Sequence, residues 1–308
     1  MKSGHMLMVL AILGATACGG PASAPATPAD AAANGPAVGS LEWAVAGSWR
    51  LPKEKARDQW RHPVETLKFF GVKPTDTVVE IAPGGGWYTA ILGPWLKQGG
   101  GKLYAAQVDP NASDYARRNV DSYKAAFIDH PDIYGDITLT EGSRSSPGIA
   151  PEGVADVVLT FRNVHNWMSE GYADKIFADA FRALKPGGVL GVEEHRLPSA
   201  REQDLLGSSG YVLESYVVQL AEHAGFVLEE SSEINANPKD TADHPLGVWM
   251  LPPNLRKPEP GTPEAAGYDE ATYTAIGESD RMTLRFRKPL QAATPPADAA
   301  TPAAPPPG

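Results

Sequence analysis

The chain has 308 residues, 42% hydrophobic and 21% charged, a mixture that suits a globular domain with a sizeable core. Lys and Arg number 27 against 37 Asp and Glu, a net charge of −10, which opposes electrostatic capture of a phosphate backbone and excludes nucleic acid as the expected partner. The single cysteine excludes a disulfide within the chain.

In chain order, Lys2, an apolar run over residues 6–17 and the small residues before Cys18-Gly19-Gly20 have the layout of a secretory signal peptide. The run is about a dozen residues, short of the roughly 20 needed to span a bilayer as a helix, so export with removal of residues 1–17 is expected. Ala15-Thr16-Ala17 before Cys18 resembles the lipid-attachment site of bacterial lipoproteins. This implies a periplasmic protein anchored to the envelope through Cys18, ordinary cleavage after Ala17 being the alternative. Residues 18–40, rich in Ala, Pro, Gly and Ser, bury too little apolar surface to offset chain entropy and are expected to form a flexible tether. Residues 291–308 form a similar tail, which leaves one folded domain over residues 41–290.

Residues 54–70 are amphipathic around Trp60, Leu67 and Phe69 and are expected to form a helix over one end of a sheet. Strand-like runs follow at 77–82 and 103–108, with a helix-compatible segment at 87–97 between them. The alternation continues through strands 137–140 and 156–161, a helix at 173–184, a turn at Lys185-Pro186-Gly187-Gly188 and a strand at 189–193. A helix over 209–224 stops at Gly225 before a sixth strand at 226–230. No clear crossover helix precedes the last strand, 282–287, so it is expected to run antiparallel. The pattern is α/β, a mostly parallel seven-stranded sheet with an antiparallel last strand and helices on both faces. Residues 234–280 leave the sixth strand at the carboxyl edge of the sheet, where ligands of open α/β folds bind, and a connection of that length reads as a lid. Asn237, Asp240, His244 and Trp249 offer polar and aromatic contacts within it.

Glu80 stands near the end of the first strand, and Ala82-Pro83-Gly84-Gly85-Gly86 forms the turn that follows. Glycines there let a ligand approach the backbone and tolerate positive φ, while the next helix offers free N–H groups. The segment from Glu80 to Gly86 resembles the first motif of class I S-adenosylmethionine-dependent methyltransferases. Gly84 and Gly86 match the last two glycines of that motif, and Ala82 stands where its first glycine is common. The resemblance implies the Rossmann-like methyltransferase fold, with S-adenosyl-L-methionine as cofactor. It implies that the turn of Ala82, Gly84, Gly85 and Gly86 holds the methionine portion, with Glu80 supporting its amino group directly or through water. It further implies an acid at the end of the second strand, gripping the ribose diol; Asp109 is the candidate, with Gln107 the alternative.

The fourth strand, 156–161, also matches the family, and Arg162-Asn163-Val164-His165-Asn166-Trp167 follows it where acceptor and methyl group would meet. His165 is the candidate general base and Asn163 and Asn166 are candidates to orient the acceptor; a hydrogen-bonded loop cap is the alternative. The turn at 185–188 resembles the family's turn before the fifth strand. Glu193, Glu194 and His195 then leave that strand, and since alternation sends neighbours to opposite faces, not all three point into one pocket. Over roughly residues 58–289, including Glu278-Ser279-Asp280-Arg281, the chain resembles a bacterial group of exported proteins of this family. The expected acceptor is a small molecule. Seven histidines are scattered, without an HExxH motif or cysteine cluster, so no metal is expected. Two rivals stand beside this reading. One is a non-catalytic exported binding protein that keeps the fold. The other is a nicotinamide oxidoreductase, whose GxGxxG pattern fails at Thr89.

Overall fold

The computed structural model describes residues 35–290. The signal-like segment 1–17, Cys18, most of the expected tether and the tail 291–308 lie outside the described residues. Four short helices come first: α1 (Leu41–Ala46), α2 (Pro52–Lys55), α3 (Asp58–Arg61) and α4 (Pro63–Phe69). The single amphipathic helix expected over 54–70 is therefore broken. His62 adopts φ 38°, and Pro63, which lacks an N–H, restarts the helix at its first position.

The alternating layer follows as β1 (Thr77–Ile81), α5 (Thr89–Gly99), β2 (Lys102–Gln107), α6 (Asp114–Tyr123), α7 (Pro131–Tyr134) and β3 (Ile137–Glu141). It continues through β4 (Ala155–Phe161), α8 (Val164–Ser169), α9 (Ala173–Ala183), β5 (Leu184–Leu197), β6 (Val212–Leu213) and α10 (Glu214–His223). Last come β7 (Val227–Ser232), α11 (Glu270–Ile276) and β8 (Arg281–Arg287). The strand order is β3-β2-β1-β4-β5-β8-β7, with the two-residue β6 attached to β5. β1 to β5 run parallel, and β8 lies antiparallel between β5 and β7. This is the expected Rossmann-like methyltransferase fold, seven strands in its main path with β8 reversed.

Alternation along each strand sorts the core into two layers. Val79 and Ile81 of β1, Leu190 and Val192 of β5 and Leu284 and Phe286 of β8 face one side, against Trp167, Phe177 and Leu220 of α8, α9 and α10. Val78, Val157, Leu159 and Val189 face the other, against Leu67 and Phe70 at the end of the N-terminal helices and Ile91 and Leu92 of α5. Each such buried side chain contributes about 1.5–3 kcal/mol.

β5 departs from its expected limits at both ends. Leu184 pairs with Ala155 and Val189 with Val157, so Lys185-Pro186-Gly187-Gly188 is a bulge inside the strand, with Gly187 at φ 78°. At the other end the strand runs on to Leu197, because β8 pairs with it from Val189 to His195 and β6 continues the pairing at Arg196 and Leu197. Pairing at β6 also delays the helix expected from 209 until Glu214. Glu193, Glu194 and His195 are therefore interior strand residues, whereas the sequence reading ended the strand at 193.

The connection from β7 to β8 is hydrogen-bonded to the domain. Asp240 accepts from Tyr211 OH (3.0 Å), His244 Nε2 (2.9 Å) and the Asp280 amide (2.8 Å). Val248 and Ala242 pack with Leu197 and Tyr211 in a small apolar cluster. Among the described residues no helix is long and apolar enough to cross a membrane.

Gly191 lies where β5 passes closest to the N-terminal helices; a Cβ there would sit 2.7 Å from the Phe70 ring and 2.8 Å from Leu159. Gly191→Ala is expected to destabilise the fold by about 1–3 kcal/mol through overpacking, read as a lower urea midpoint. An unchanged midpoint would mean the two layers are not in contact at this strand.

Candidate functional site

Three adjoining cavities lie at the carboxyl edge of the sheet. The first, about 490 Å³, is lined by Ala82, Asp109, Ser113, Ser143, Ser145, Asn163, Asn166 and Tyr172 among others. The second, about 530 Å³, has Ala82, Pro83, Gly84, Gly85 and Trp87 on one side and Arg57, Arg61, Arg162 and Asn163 on the other. The third, about 250 Å³, is walled by Arg57, Arg61, Arg162, His165, His195, Trp249 and Ser279. Ala82 and Asn163 are shared by the first two cavities, and the three arginines by the last two.

The turn after β1 is shaped for close approach. A Cβ at Gly84 or Gly85 would meet nothing within 4 Å, whereas one at Gly86 would lie 2.1 Å from the Phe127 ring. Gly84 and Gly85 therefore open onto the cavity, while Gly86 lets α6 and its extension pack over the turn. Ala82 adopts φ 46°, a conformation glycine takes without strain, at the position where the resembled motif commonly has glycine. Asn163 Nδ2 donates to Ile81 O (3.2 Å) and Thr160 Oγ1 (3.2 Å), tying the ends of β1 and β4 together under both cavities.

Asp109 is half-buried on the first cavity wall, one carboxylate oxygen accepting from the Asn111 amide (2.7 Å). Gln107 is buried within β2, is not on that wall, and its Nε2 has no partner among the described residues. Glu80 does not reach either cavity wall. It is 2% exposed and accepts from Thr89 Oγ1 (2.6 Å), which also meets Tyr123 OH (3.0 Å). Burial pushes its carboxyl up to about 7, against the lowering by Thr89 and Arg162.

At the other end of the site, alternation along β5 separates its two glutamates. Glu193 faces the N-terminal helices, where Oε1 accepts from Arg162 Nη1 (2.8 Å) and Arg281 Nη1 (3.0 Å). Glu278 accepts from Arg57 Nε (2.5 Å), Arg61 Nε (3.0 Å) and Arg281 Nη1 (3.2 Å). These arginines hold the Glu278 carboxyl down at about 2 despite its burial. Arg162, the first residue past β4, takes φ 61°, a strained left-handed conformation, and its amide donates to Glu193 O (2.7 Å).

Glu194 faces α8. Its oxygens accept from the Val164 amide (2.5 Å) and the His195 amide (2.8 Å), so His165 Nδ1, 3.0 Å from Oε1, is the donor of that pair. Nε2 of His165 makes no hydrogen bond among the described residues, and the side chain lines the third cavity. His195 Nδ1 lies 2.6 Å from Ser279 Oγ, and its ring centroid is 5.4 Å from that of His165. Burial, then the neighbouring His165 and arginines, hold His195 well below the usual imidazole range, hence neutral. Although the histidines are scattered in sequence, His165, Glu194 and His195 place ligand-type atoms within 4.8 Å of one another. The same arginines, which add to the effect of burial on His195, oppose a divalent cation there. The arginine cluster escaped sequence reading, since its members are single residues up to 221 positions from their partners.

Residues 79–192 match the family model described as a methyltransferase domain. Over those residues the chain resembles a methyltransferase domain. The match implies S-adenosylmethionine as its cofactor. No curated protein matches the chain closely enough to count as a relative. Among solved structures, the domain is similar to a presumed sarcosine dimethylglycine methyltransferase from Galdieria sulphuraria. Identity is 14%, coverage 77% of this chain and 88% of that one, and the TM-score 0.50. It is equally similar to the [4+2]-cyclase SpnF, at 14% identity, 80% and 85% coverage and a TM-score of 0.50. At such identity these likenesses show the fold.

The residues present fit the cofactor in donor chemistry and space: open backbone at Gly84 and Gly85 and a carboxylate at Asp109 on a connected wall. Gly85 lies outside the left-handed region and has open space at its Cβ position. Gly85→Ala is therefore expected to keep the urea midpoint while weakening S-adenosylhomocysteine binding tenfold or more. Gly86→Ala is expected to lose stability first. Equal cofactor affinity of Gly85→Ala and the parent would place the ligand elsewhere.

Glu80 generates a pH-dependent prediction. Between its ordinary 4.5 and about 7 the folded state holds a proton that the unfolded state has lost, so stability falls as pH rises through this window. Glu80→Gln is expected to match the parent below that window and exceed it by on the order of 3 kcal/mol above pH 7, read from urea midpoints. A difference independent of pH would mean that Glu80 does not titrate there.

Proposed function

We propose that the protein is an S-adenosylmethionine-dependent methyltransferase with a small-molecule acceptor, exported and anchored to the bacterial envelope through a lipidated Cys18. One observation carries the catalytic part: open glycine backbone, the Asp109 carboxylate and the His165 imidazole line successive compartments at one sheet edge, joined through Ala82, Asn163 and Arg162. The export part rests on residues 1–20 alone.

When bound, the cofactor supplies an electrophilic methyl carbon for in-line displacement, so the protein's task is alignment and exclusion of water. In this reading Gly84 and Gly85 admit the methionine portion, Asp109 accepts from the ribose hydroxyls, and Asn163 fixes the floor where the compartments meet. His165, oriented by Glu194, takes the acceptor's proton at Nε2. Residues 234–280 act as the lid, contributing Val248, Trp249 and Leu251 to the wall opposite the arginines.

Calorimetric titration with S-adenosylmethionine and S-adenosylhomocysteine tests the reading. Both are expected to bind, and Asp109→Ala to weaken them by about tenfold or more, the loss of a charged hydrogen-bonding partner being worth about 1.5–3 kcal/mol. No heat at millimolar ligand would favour the second reading, a non-catalytic binding protein, which the export signal supports because this cofactor is made in the cytoplasm. On the acceptor, His165→Ala is expected to lower kcat by about 10²- to 10⁴-fold. Full turnover would reduce His165 to a helix-end cap.

A further inference from the structure

Buried charge at the acceptor end of the site is unbalanced. Arg57, Arg61, Arg162 and Arg281 converge on only two carboxylates, Glu193 and Glu278. Glu194, on the opposite face of β5, is satisfied by two amides and His165. Arg281 faces inward and is spent on both carboxylates and on Trp60 O. The other three are not spent. Arg57 and Arg61 each use only Nε, and Arg162 only side-chain Nη1, toward acceptors among the described residues. All three line the two adjoining cavities, and Arg61 is only 4% exposed, its guanidinium 4.7 Å above the Trp87 ring.

We infer that Arg57, Arg61 and Arg162 form an oxyanion subsite that receives a carboxylate or phosphoryl group of the acceptor, whose apolar body lies against Val248, Trp249 and Leu251. This inference rests on the methyltransferase reading for the word acceptor, though not for the anion site itself. A planar guanidinium presents paired N–H donors that match a carboxylate or phosphoryl edge, and three of them, Arg61 buried and Arg57 and Arg162 partly so, share one wall. The chain as a whole carries a net −10, so this excess of cations over carboxylates is local and cannot be ascribed to a basic surface. Burial, together with repulsion from Arg162, pulls the Arg61 guanidinium down to about 9 even with Glu278 beside it. An oxyanion would relieve that repulsion. A divalent cation would add to it, which sets the subsite apart from a metal centre at His165, Glu194 and His195.

Thermal unfolding of the full chain at constant ionic strength, with inorganic phosphate or with acetate in place of chloride, tests the inference and separates the two oxyanion types. One of these anions is expected to raise the midpoint in a saturable, millimolar manner. Arg57→Gln is expected to shift the saturation at least tenfold upward, and Arg57→Lys to restore part of it. Should Arg57→Gln not fold, Glu278→Gln provides the opposite test, since removing an acid should tighten anion binding. No anion effect on the parent, or the same effect in the parent and these variants, overturns the inference. Saturating S-adenosylhomocysteine provides the decisive control. If the anion effect survives it, the subsite belongs to the acceptor. If it abolishes the effect, the arginines bind the cofactor's own carboxylate and the acceptor assignment falls. Anion binding without any S-adenosylhomocysteine binding would retain the oxyanion site while removing the methyltransferase reading.

Discussion

Burying guanidinium and carboxylate groups together at the carboxyl edge of the sheet is the constraint around which the rest of the molecule is arranged. Removing either partner from a buried ion pair leaves an uncompensated charge and costs about 3–5 kcal/mol, so every segment that brings one is held in place by the others. Arg57 and Arg61 come from the broken N-terminal helices, Arg162 from the end of β4, Glu193 from β5, and Glu278 and Arg281 from the entry to β8. Interactions across more than 200 residues of sequence thus meet in one place. The left-handed backbone at Arg162 belongs to the same arrangement: it lets the residue's amide bond the backbone of Glu193 while its side chain bonds that residue's carboxylate.

Strand β5 divides this edge into two chemistries. Because β8 continues the pairing to His195, successive residues are fixed on opposite faces. Glu193 points toward the arginines and Glu194 toward α8 and His165. One strand thereby supplies the anchor of a cationic wall and the orienting partner of an imidazole. Swapping the two faces by a one-residue slip would bury Glu194 among guanidiniums and leave His165 unoriented; the long ladder with β8 opposes such a slip.

The strands were legible in the sequence because parallel strands buried on both faces carry continuous apolar runs, as at 77–82 and 156–161. The glycine turn and Asp109 were legible because short spacing after such a run fixes where a residue sits. The continuation of β5 was not, since the residues that pair with Glu193, Glu194 and His195 lie about 90 positions later in β8. The break at His62 was also hidden, because amphipathic spacing persists across it. Arg57 and Arg61 carried no signal in the sequence, and Arg162 none beyond its place after the fourth strand, for only the fold shows that each meets a buried acid.

This difference in legibility follows how the site is divided along the chain. The family match ends at 192 and begins at 79, and within it lie the glycine turn, Asp109 and Asn163 on the first two cavities, together with Arg162 and His165 of the third. Arg57 and Arg61 precede it, while Glu193, His195, Trp249, Glu278 and Ser279 follow it, and these make the wall of the third cavity or anchor it. The part within the match can be recognised from sequence alone. The rest of the edge is assembled mostly from segments outside the match, held by ion pairs among themselves and with Arg162. On the proposed reading, the chemistry of the acceptor is to be read from the arginines and the apolar residues opposite them, not from the glycine turn.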